Sequence, residues 1–410
     1  MHILFLTDNF PPESNAPASR TFEHGREWVR AGHQVTVITC APNFPKGNVF
    51  GGYRNRLWQQ EQMDGIRVIR VWSYITANEG FVKRILDYQS FMLSATLAAP
   101  FVRGVDVVVG TSPQFFTACA AYLVSRLKRI PFVFELRDMW PESIKAVGAM
   151  KADSLAYRWL ERLEMFLYRK ASRIVTVTHA FRDALMRRGI DGTKIDVVTN
   201  GVDLSHFAPQ AKDVTLVQQL CLQEMFVAGY IGTHGMSHAL ETLLEAAQTL
   251  QQMPNAQNVR LLFLGDGARK QDLIAKAQAM GLRNVLFVES VHKDQVVRYW
   301  SVLDVSVIHL RKTELFTTVI PSKLFECMGM GLPVLHGVAG ESAEIVEREQ
   351  VGQVFESENA QQLVAGLLHI RDNPAAYAYF QRNGLLAARR YDRMNLALQM
   401  QQVLVNLVKK

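Results

Sequence analysis

A chain of 410 residues, 49% apolar and 20% charged, has enough apolar material for two domains of about 200 residues each and is neither disordered nor fibrous in composition. Its formal charge of +7 is uneven: residues 1 to 200 hold 26 Lys and Arg against 18 Asp and Glu, and residues 201 to 410 hold 19 against 20. A basic first half suits an anionic membrane surface or a phosphorylated acceptor; without a basic helix interleaved with aromatics, a zinc spacing or an RNA-stacking signature, nucleic acid is not expected as a partner.

The opening MHILFLTDNF is a short strand with no basic lead-in and no small-residue cleavage site, so no signal peptide is read and the cytoplasm is expected. Short apolar, mostly β-branched runs follow at Ile3 to Thr7, Val35 to Thr39, Val68 to Trp72, Val105 to Val109, Phe132 to Leu136, Ile174 to Thr178 and Ile195 to Val198. Separated by helical or loop segments, they predict a parallel, doubly wound α/β sheet. Within this half, Phe81 to Arg103 has helical spacing and basic flanks; it is too short in its clean apolar part to span a bilayer, and suits either a core helix or one lying in a membrane interface.

Asn200 and Gly201 mark a turn, and a second series of strands follows: Phe226 to Ile231, Arg260 to Leu264, Val285 to Val288, Val305 to Leu310, Pro333 to Leu335 and Gln353 to Phe355. A long polar helix is expected from about Ala360, then an amphipathic final helix. The four cysteines are far apart, which suggests neither a disulfide framework nor a zinc site. The scattered histidines His2, His179, His234 and His309 are each expected, as isolated histidines, to be structural rather than ligands.

The densest chemistry lies in IPSKLFECMGMGLPV, Ile320 to Val334. Pro321 ends a strand, Ser322 is expected to cap a helix start with its hydroxyl, and Lys323 and Glu326 fall in the first turns, where free NH groups and the helix dipole favour a phosphate. A lysine there can take a diphosphate, and a carboxylate can accept from ribose hydroxyls. Residues Asp8 to Arg20 contain no glycine, so a dinucleotide turn is missing and a dehydrogenase is not expected. Gly232 and Gly235 in GYIGTHG, with Thr233 and His234 between them, form a candidate cover for the diphosphate. Gly265 and Asp266 in FLGDGARK form a candidate wall for the base, and Arg311 at another strand end is a candidate second cation.

These segments carry a resemblance. FLTDNFPPESNAPASR, TVTHAFRDAL, VVTNGVDLSHF, GYIGTHG with LETLLEAA, FLGDGARK and PSKLFECMGMGLPVL resemble, over nearly the whole chain, retaining glycosyltransferases of the GT-B fold in family 4. FELRDMWPES and VIPSKLFE are most similar to the bacterial surface-polysaccharide branch that contains L-fucosamine transferases. The resemblance implies two doubly wound Rossmann-like domains facing a central cleft: residues 1–200 for the acceptor, 201–385 for the nucleotide sugar, and a C-terminal helix, 386–410, crossing back to the first domain. It implies a UDP-sugar donor, of N-acetyl-L-fucosamine or a related amino sugar. The implied acceptor is a lipid-linked sugar diphosphate in O-antigen, capsule or exopolysaccharide assembly. Peripheral attachment to the inner face of the cytoplasmic membrane is implied too, with no cofactor and no metal.

Carried over residue by residue, the resemblance also shows departures. The family pairs two glutamates eight positions apart; Glu326 fits the second, on ribose, but Thr318 holds the place of the first, near the donor sugar. The usual diphosphate arginine and lysine fall on Thr233 and His238, so Lys323 and Arg311 are expected to compensate. A histidine near the reacting centre falls on Arg137, followed by Asp138, and these two are the candidate acceptor-side or transition-state groups. Asn15 and Ala16 are expected in a loop of the first domain that approaches the diphosphate. Two other classes remain open from sequence: a UDP-sugar epimerase on the same fold, and a non-catalytic membrane-associated scaffold.

Overall fold

The structure, a computed structural model, describes residues 1–13, 15–44, 46–76, 81–140 and 154–409. Ser14 of the opening motif and the PES of FELRDMWPES lie outside the described residues. Two compact units divide the chain, Met1–Thr199 with Arg393–Lys410, and Asn200–Asp392.

In the first unit, β1 (His2–Leu6), β2 (Gln34–Cys40), β3 (Trp58–Met63), β4 (Ile66–Val71), β5 (Val107–Thr111), β6 (Phe132–Leu136), β7 (Arg173–Thr176) and β8 (Ile195–Val197) form one sheet in the order β3-β4-β2-β1-β5-β6-β7-β8. All neighbours are parallel except β3 and β4. Antiparallel β3 was not expected. Its WQQEQM has no apolar run, because an edge strand with alternate residues in solvent needs none; the Asp64-Gly65 pair, both at positive φ, closes a hairpin into β4. On one face α2 (Phe81–Ala98) packs on α3 (Phe115–Lys128), with α4 (Leu155–Lys170) and α5 (His179–Arg187) beyond them. On the other face lie α1 (Ala16–Arg30) and the last helix, Arg393–Val408. The helix expected through Arg103 ends at Ala98 and runs on as a 3₁₀ turn to Phe101, where Pro100 withholds an NH.

The second unit holds β9 (Phe226–Ile231), β10 (Val259–Leu264), β11 (Val285–Val288), β12 (Val305–His309), β13 (Val334–Gly337) and β14 (Gly352–Val354), all parallel, in the order β11-β10-β9-β12-β13-β14. Its helices are α6 (Val214–Gln219), α7 (Glu241–Gln252), α8 (Lys270–Ala279), α9 (Lys293–Ser301), α10 (Lys323–Met330), α11 (Glu341–Glu349), α12 (Ala360–Asp372) and α13 (Pro374–Ala388). The single long helix expected from Ala360 is two: Asn373 caps α13 by accepting from Ala376 NH at 3.1 Å, and Pro374 cannot continue α12. The last helix, α14 (Arg393–Val408), belongs to the first unit from Arg393, later than the expected 386, because α13 and the turn after it pack on α10 and the second core.

Strand order reverses once in each sheet. β1 lies between β2 and β5, and β9 between β10 and β12, so the crossovers from these strands leave to opposite sides and open a crevice at the carboxyl edge. Those two edges position everything functional below.

In the first unit, α14 is held by Trp28, fully buried on α1, whose indole NH donates to Ala397 O at 2.8 Å, and by Arg393, which pairs with Glu23 at 2.6 Å. Trp28→Ala is expected to cost about 3–5 kcal/mol in urea denaturation, as large aromatic truncations in cores do. Trp159→Ala, at a position 58% exposed, should change stability by under about 0.5 kcal/mol. Equal losses for the two variants would show that α14 is not anchored through Trp28.

Candidate functional site

At the switch point of the second sheet, the loops after β9 and β10 touch backbone to backbone. Gly232 NH donates to Leu264 O at 2.9 Å, and His234 NH to Asp266 O at 2.9 Å. A Cβ on Gly265, whose φ is +144, would stand 1.9 Å from Gly232 O, so no other residue fits there. A Cβ on Gly232 would meet Lys323 Nζ at 2.6 Å. The glycine loop therefore lies directly against the lysine of the PSKLFE motif.

Lys323 is the first residue of α10, and its ammonium sits 3.9 Å from the centroid of the Tyr230 ring, a cation–π contact at the end of β9. Tyr230 holds the loop in turn, its OH donating to Thr233 O at 2.8 Å. Desolvation lowers the Lys323 pKa to about 8, with Glu326 acting to raise it. Glu326, half-buried, follows on the same helix. Ser322 does not cap as expected: its backbone is already helical and its hydroxyl makes no capping bond, so Pro321 O takes Leu324 NH at 3.0 Å. An N-cap side chain reaches the first-turn NH groups only from an extended backbone.

His234 is buried between the two loops, its ring edge-on to Phe263 and Phe287, and neither ring nitrogen has a protein partner. Burial, then Lys270 and Lys323, lower its pKa to about 4, so it is neutral. His309, by contrast, has both ring nitrogens engaged: Nδ1 donates to His238 O at 2.8 Å and Nε2 accepts from Glu358 NH at 2.9 Å. Burial takes His238 down to about 3, so it supplies no cation in the place where the family has one. Thr233 and Asp266 are exposed, and Asp266 accepts from Gly267 NH at 2.8 Å. The Arg311 side chain is exposed, with its backbone NH on Ser237 O at 2.8 Å. Thr318 donates to Leu315 O at 2.7 Å inside the turn before α10. Gly235 opens the 3₁₀ turn that carries Ser237 and His238.

The switch point of the first sheet opens into a cavity of about 420 Å³, within the range of small-molecule sites. Asn15 and Asp138 both line it. Asn15 ends the loop after β1 as the N-cap of α1, accepting from Ala18 NH at 2.9 Å, whereas Ala16 is not in the loop but is the first helical residue. Asn and a following proline are strong helix-start signals, and Pro17 stands in the first turn. Arg137 and Asp138 part company. Ser112 Oγ accepts both of their NH groups, at 2.7 and 3.1 Å, which fixes the turn after β6. The Arg137 side chain goes inward beside Glu135 and Arg20, where burial lowers its pKa to about 10 and Nε and Nη1 have no partner. It does not line the cavity with Asp138.

Sequence reasoning missed Tyr230, visible inside GYIGTHG, and the cavity's Asp8, Glu13 and Asp87. Burial raises Asp8 and takes Glu13 and Asp87 to about 7, with Asp8 adding to both. Glu13 was present in the opening motif as its single acid after Asp8; Asp87 comes from α2, which no local pattern ties to β1.

The sequence profile of the glycosyl transferase 4-like domain matches residues 15–201, and that of the group 1 glycosyl transferases matches residues 225–373. A putative colanic acid biosynthesis glycosyl transferase, WcaI of Escherichia coli K12, is 27% identical over 93% of this chain and 96% of its own length. A GDP-mannose-dependent alpha-mannosyltransferase of Mycobacterium tuberculosis is 24% identical over 94% and 92%. Among solved structures, Anabaena HepE in complex with UDP superposes with a TM-score of 0.74 at 18% identity, covering 99% of this chain and 100% of that one. With its two doubly wound sheets and a glycosyltransferase profile on each, the chain belongs to the GT-B glycosyltransferases.

Proposed function

We propose that the protein is a retaining glycosyltransferase of bacterial surface-polysaccharide assembly, moving N-acetyl-L-fucosamine or a related amino sugar from a UDP-sugar to a lipid-linked saccharide. The observation that carries the donor side is Lys323: a cation held in a desolvated place against a glycine backbone, at a helix start and at the switch point of a parallel sheet. Such a site gains most from an anion that can approach close backbone, which describes a diphosphate. HepE, of the same fold, is crystallised with UDP, and the Escherichia coli relative is named as a putative glycosyl transferase of colanic acid biosynthesis.

In this reading Lys323 and the NH groups of the Gly232–Gly235 loop take the diphosphate, and Glu326 accepts from the ribose hydroxyls. Neutral His234, with two unused ring nitrogens, borders the donor together with Gly265 and Asp266. Arg311, exposed at the end of β12, reaches the phosphates from its own loop, and Thr318 faces the donor sugar. The C1–O bond to the diphosphate breaks and a C1–O bond to the acceptor hydroxyl forms on the same face. The hydroxyl proton passes to a departing diphosphate oxygen, so no protein base is needed, and attack on the face the diphosphate leaves needs no protein nucleophile. What the protein supplies is orientation and stabilisation of the leaving charge.

Peripheral attachment to an anionic membrane fits α2, which has two apolar faces. Phe91, Ala95 and Ala98 are buried in the core, while Leu86, Leu93 and Leu97, one helical stripe, are exposed with Phe101 beyond them and Lys83 and Arg103 at the ends. No described helix is long and apolar enough to cross a membrane.

Four measurements test this. UDP should protect the protein from thermal unfolding more than GDP or dTDP does, and equal protection by GDP would overturn the choice of donor nucleotide. Lys323→Ala should lower transfer about 100-fold or more, as loss of one leaving-charge donor does elsewhere. Glu326→Ala should weaken UDP binding by about 1.5–3 kcal/mol; full activity in either variant would remove the assignment. Finally, the anion binds the ammonium form of Lys323, whose pKa of about 8 must rise in the complex, so binding takes up a proton above that pH. UDP affinity should then be level from pH 7 to 8 and fall by up to about tenfold per unit above it. A profile level to pH 10 would show that Lys323 does not hold the diphosphate.

A further inference from the structure

The cavity of the first sheet has the opposite electrostatic character from the donor loops. Asp8, Glu13, Asp87 and Asp138 form part of its wall, against one cation among the described residues, Arg84. Arg84 is exposed and turned to the Tyr88 hydroxyl, 3.1 Å away. Glu13 is 3% exposed. Its Oε1 accepts from the NH groups of Asn43 and Phe44 at 2.7 and 2.8 Å, but Oε2 is buried with no protein partner. Above its pKa of about 7, as at pH 8, Glu13 is mostly ionised and its oxygens can only accept, and one left unpaired in a low-dielectric wall is costly until a donor arrives. Trp140, stacked on Phe115 with ring centroids 4.9 Å apart, and Tyr88 supply flat apolar surface in the same cavity. An unpaired carboxylate oxygen among other acids, beside aromatic faces, matches a pyranose, with its O–H donors at the edge and C–H groups on the face.

Resting on the glycosyltransferase reading, we propose that this cavity receives the terminal sugar of the acceptor, and that Asp8, Glu13 and Asp87 restrict it to a hydroxyl-donating ring with no charge of its own at C6, excluding uronic acids and 6-phosphorylated sugars. A neutral ring gives Glu13 Oε2 the donor it lacks and brings further O–H donors to Asp8 and Asp87. A second anion would face three carboxylates at short range in a partly dry pocket, with Arg84 engaged at the rim. The selection is therefore made by repulsion as much as by fit.

The test uses the full chain at pH 8 and saturation-transfer NMR titrations with methyl glycosides of glucose, galactose, mannose and N-acetylglucosamine. Methyl glucuronide, methyl galacturonide and the methyl hexoside 6-phosphates are titrated alongside. At least one neutral glycoside should bind about tenfold or more tightly than its own uronide or phosphate. Glu13→Gln and Asp87→Asn should each cut that ratio about threefold or more. Asp87, half-buried on α2, keeps the test open should the buried Glu13 variant fold poorly. Equal or tighter binding of the anionic sugars, binding of none of the neutral glycosides, or a ratio unchanged by Asp87→Asn overturns the proposal. UDP protection from heating, measured on the same samples, separates the causes. Protection without selective glycoside binding removes the acceptor cavity alone, and absence of protection by any nucleoside diphosphate removes the glycosyltransferase reading with it.

Discussion

Parallel pairing is the constraint from which the rest follows. Because every strand but β3 runs the same way as its neighbours, all strand ends of a sheet open on one edge, and the helices that follow begin there with free NH groups. The reversal of order at β1/β5 and at β9/β12 then separates two adjacent loops on that edge, since their crossovers leave to opposite faces. One device, used twice, yields two sites whose chemistry is decided only by the residues at the strand ends.

On the second sheet those residues are glycines, and their absence of side chain is the point. Gly265 lets Gly232 O approach, and Gly232 lets the Lys323 ammonium lie against backbone. Tyr230 gives that ammonium a surface in the absence of an anion, though a ring face compensates desolvation only in part. The consequence is a lysine whose charged form is strained in the free protein and relieved by a phosphate, which makes binding energy out of a cost already present in the fold.

The alternation of apolar runs was enough to locate the parallel strands, because strands buried on both faces are continuously hydrophobic, as Ile3–Leu6 and Val227–Ile231 are. It was blind to β3, whose edge position needs no such run, and to the break at Asn373, where the helical period continues across a proline. Lys323 and Glu326 were legible from local order alone. Their surroundings were less so: the ring under Lys323 comes from a strand in another part of the sequence, and Ser322 had the right side chain for a cap but a helical backbone that prevents it. Arg137 and Asp138 are neighbours in sequence that diverge in space, since Ser112 turns the chain between them and only Asp138 reaches the cavity.

Charge shows most plainly what composition can and cannot decide. The first 200 residues hold the excess of Lys and Arg, yet the cavity of that unit is lined by carboxylates; the second half is close to neutral, yet its loops enclose a lysine. Net charge is set by side chains in solvent, such as Lys83 and Arg103, and governs what the surface attracts at long range. A site is set by the few groups that burial has stripped of water, where the effective dielectric is lower and each charge counts for more. An enzyme that must hold a diphosphate and a sugar hydroxyl needs those two environments to differ in sign, and the surface charge of each half neither requires nor forbids it. In the function proposed, the basic exterior of the first unit and its acidic interior serve different partners, an anionic lipid surface outside and an uncharged saccharide within.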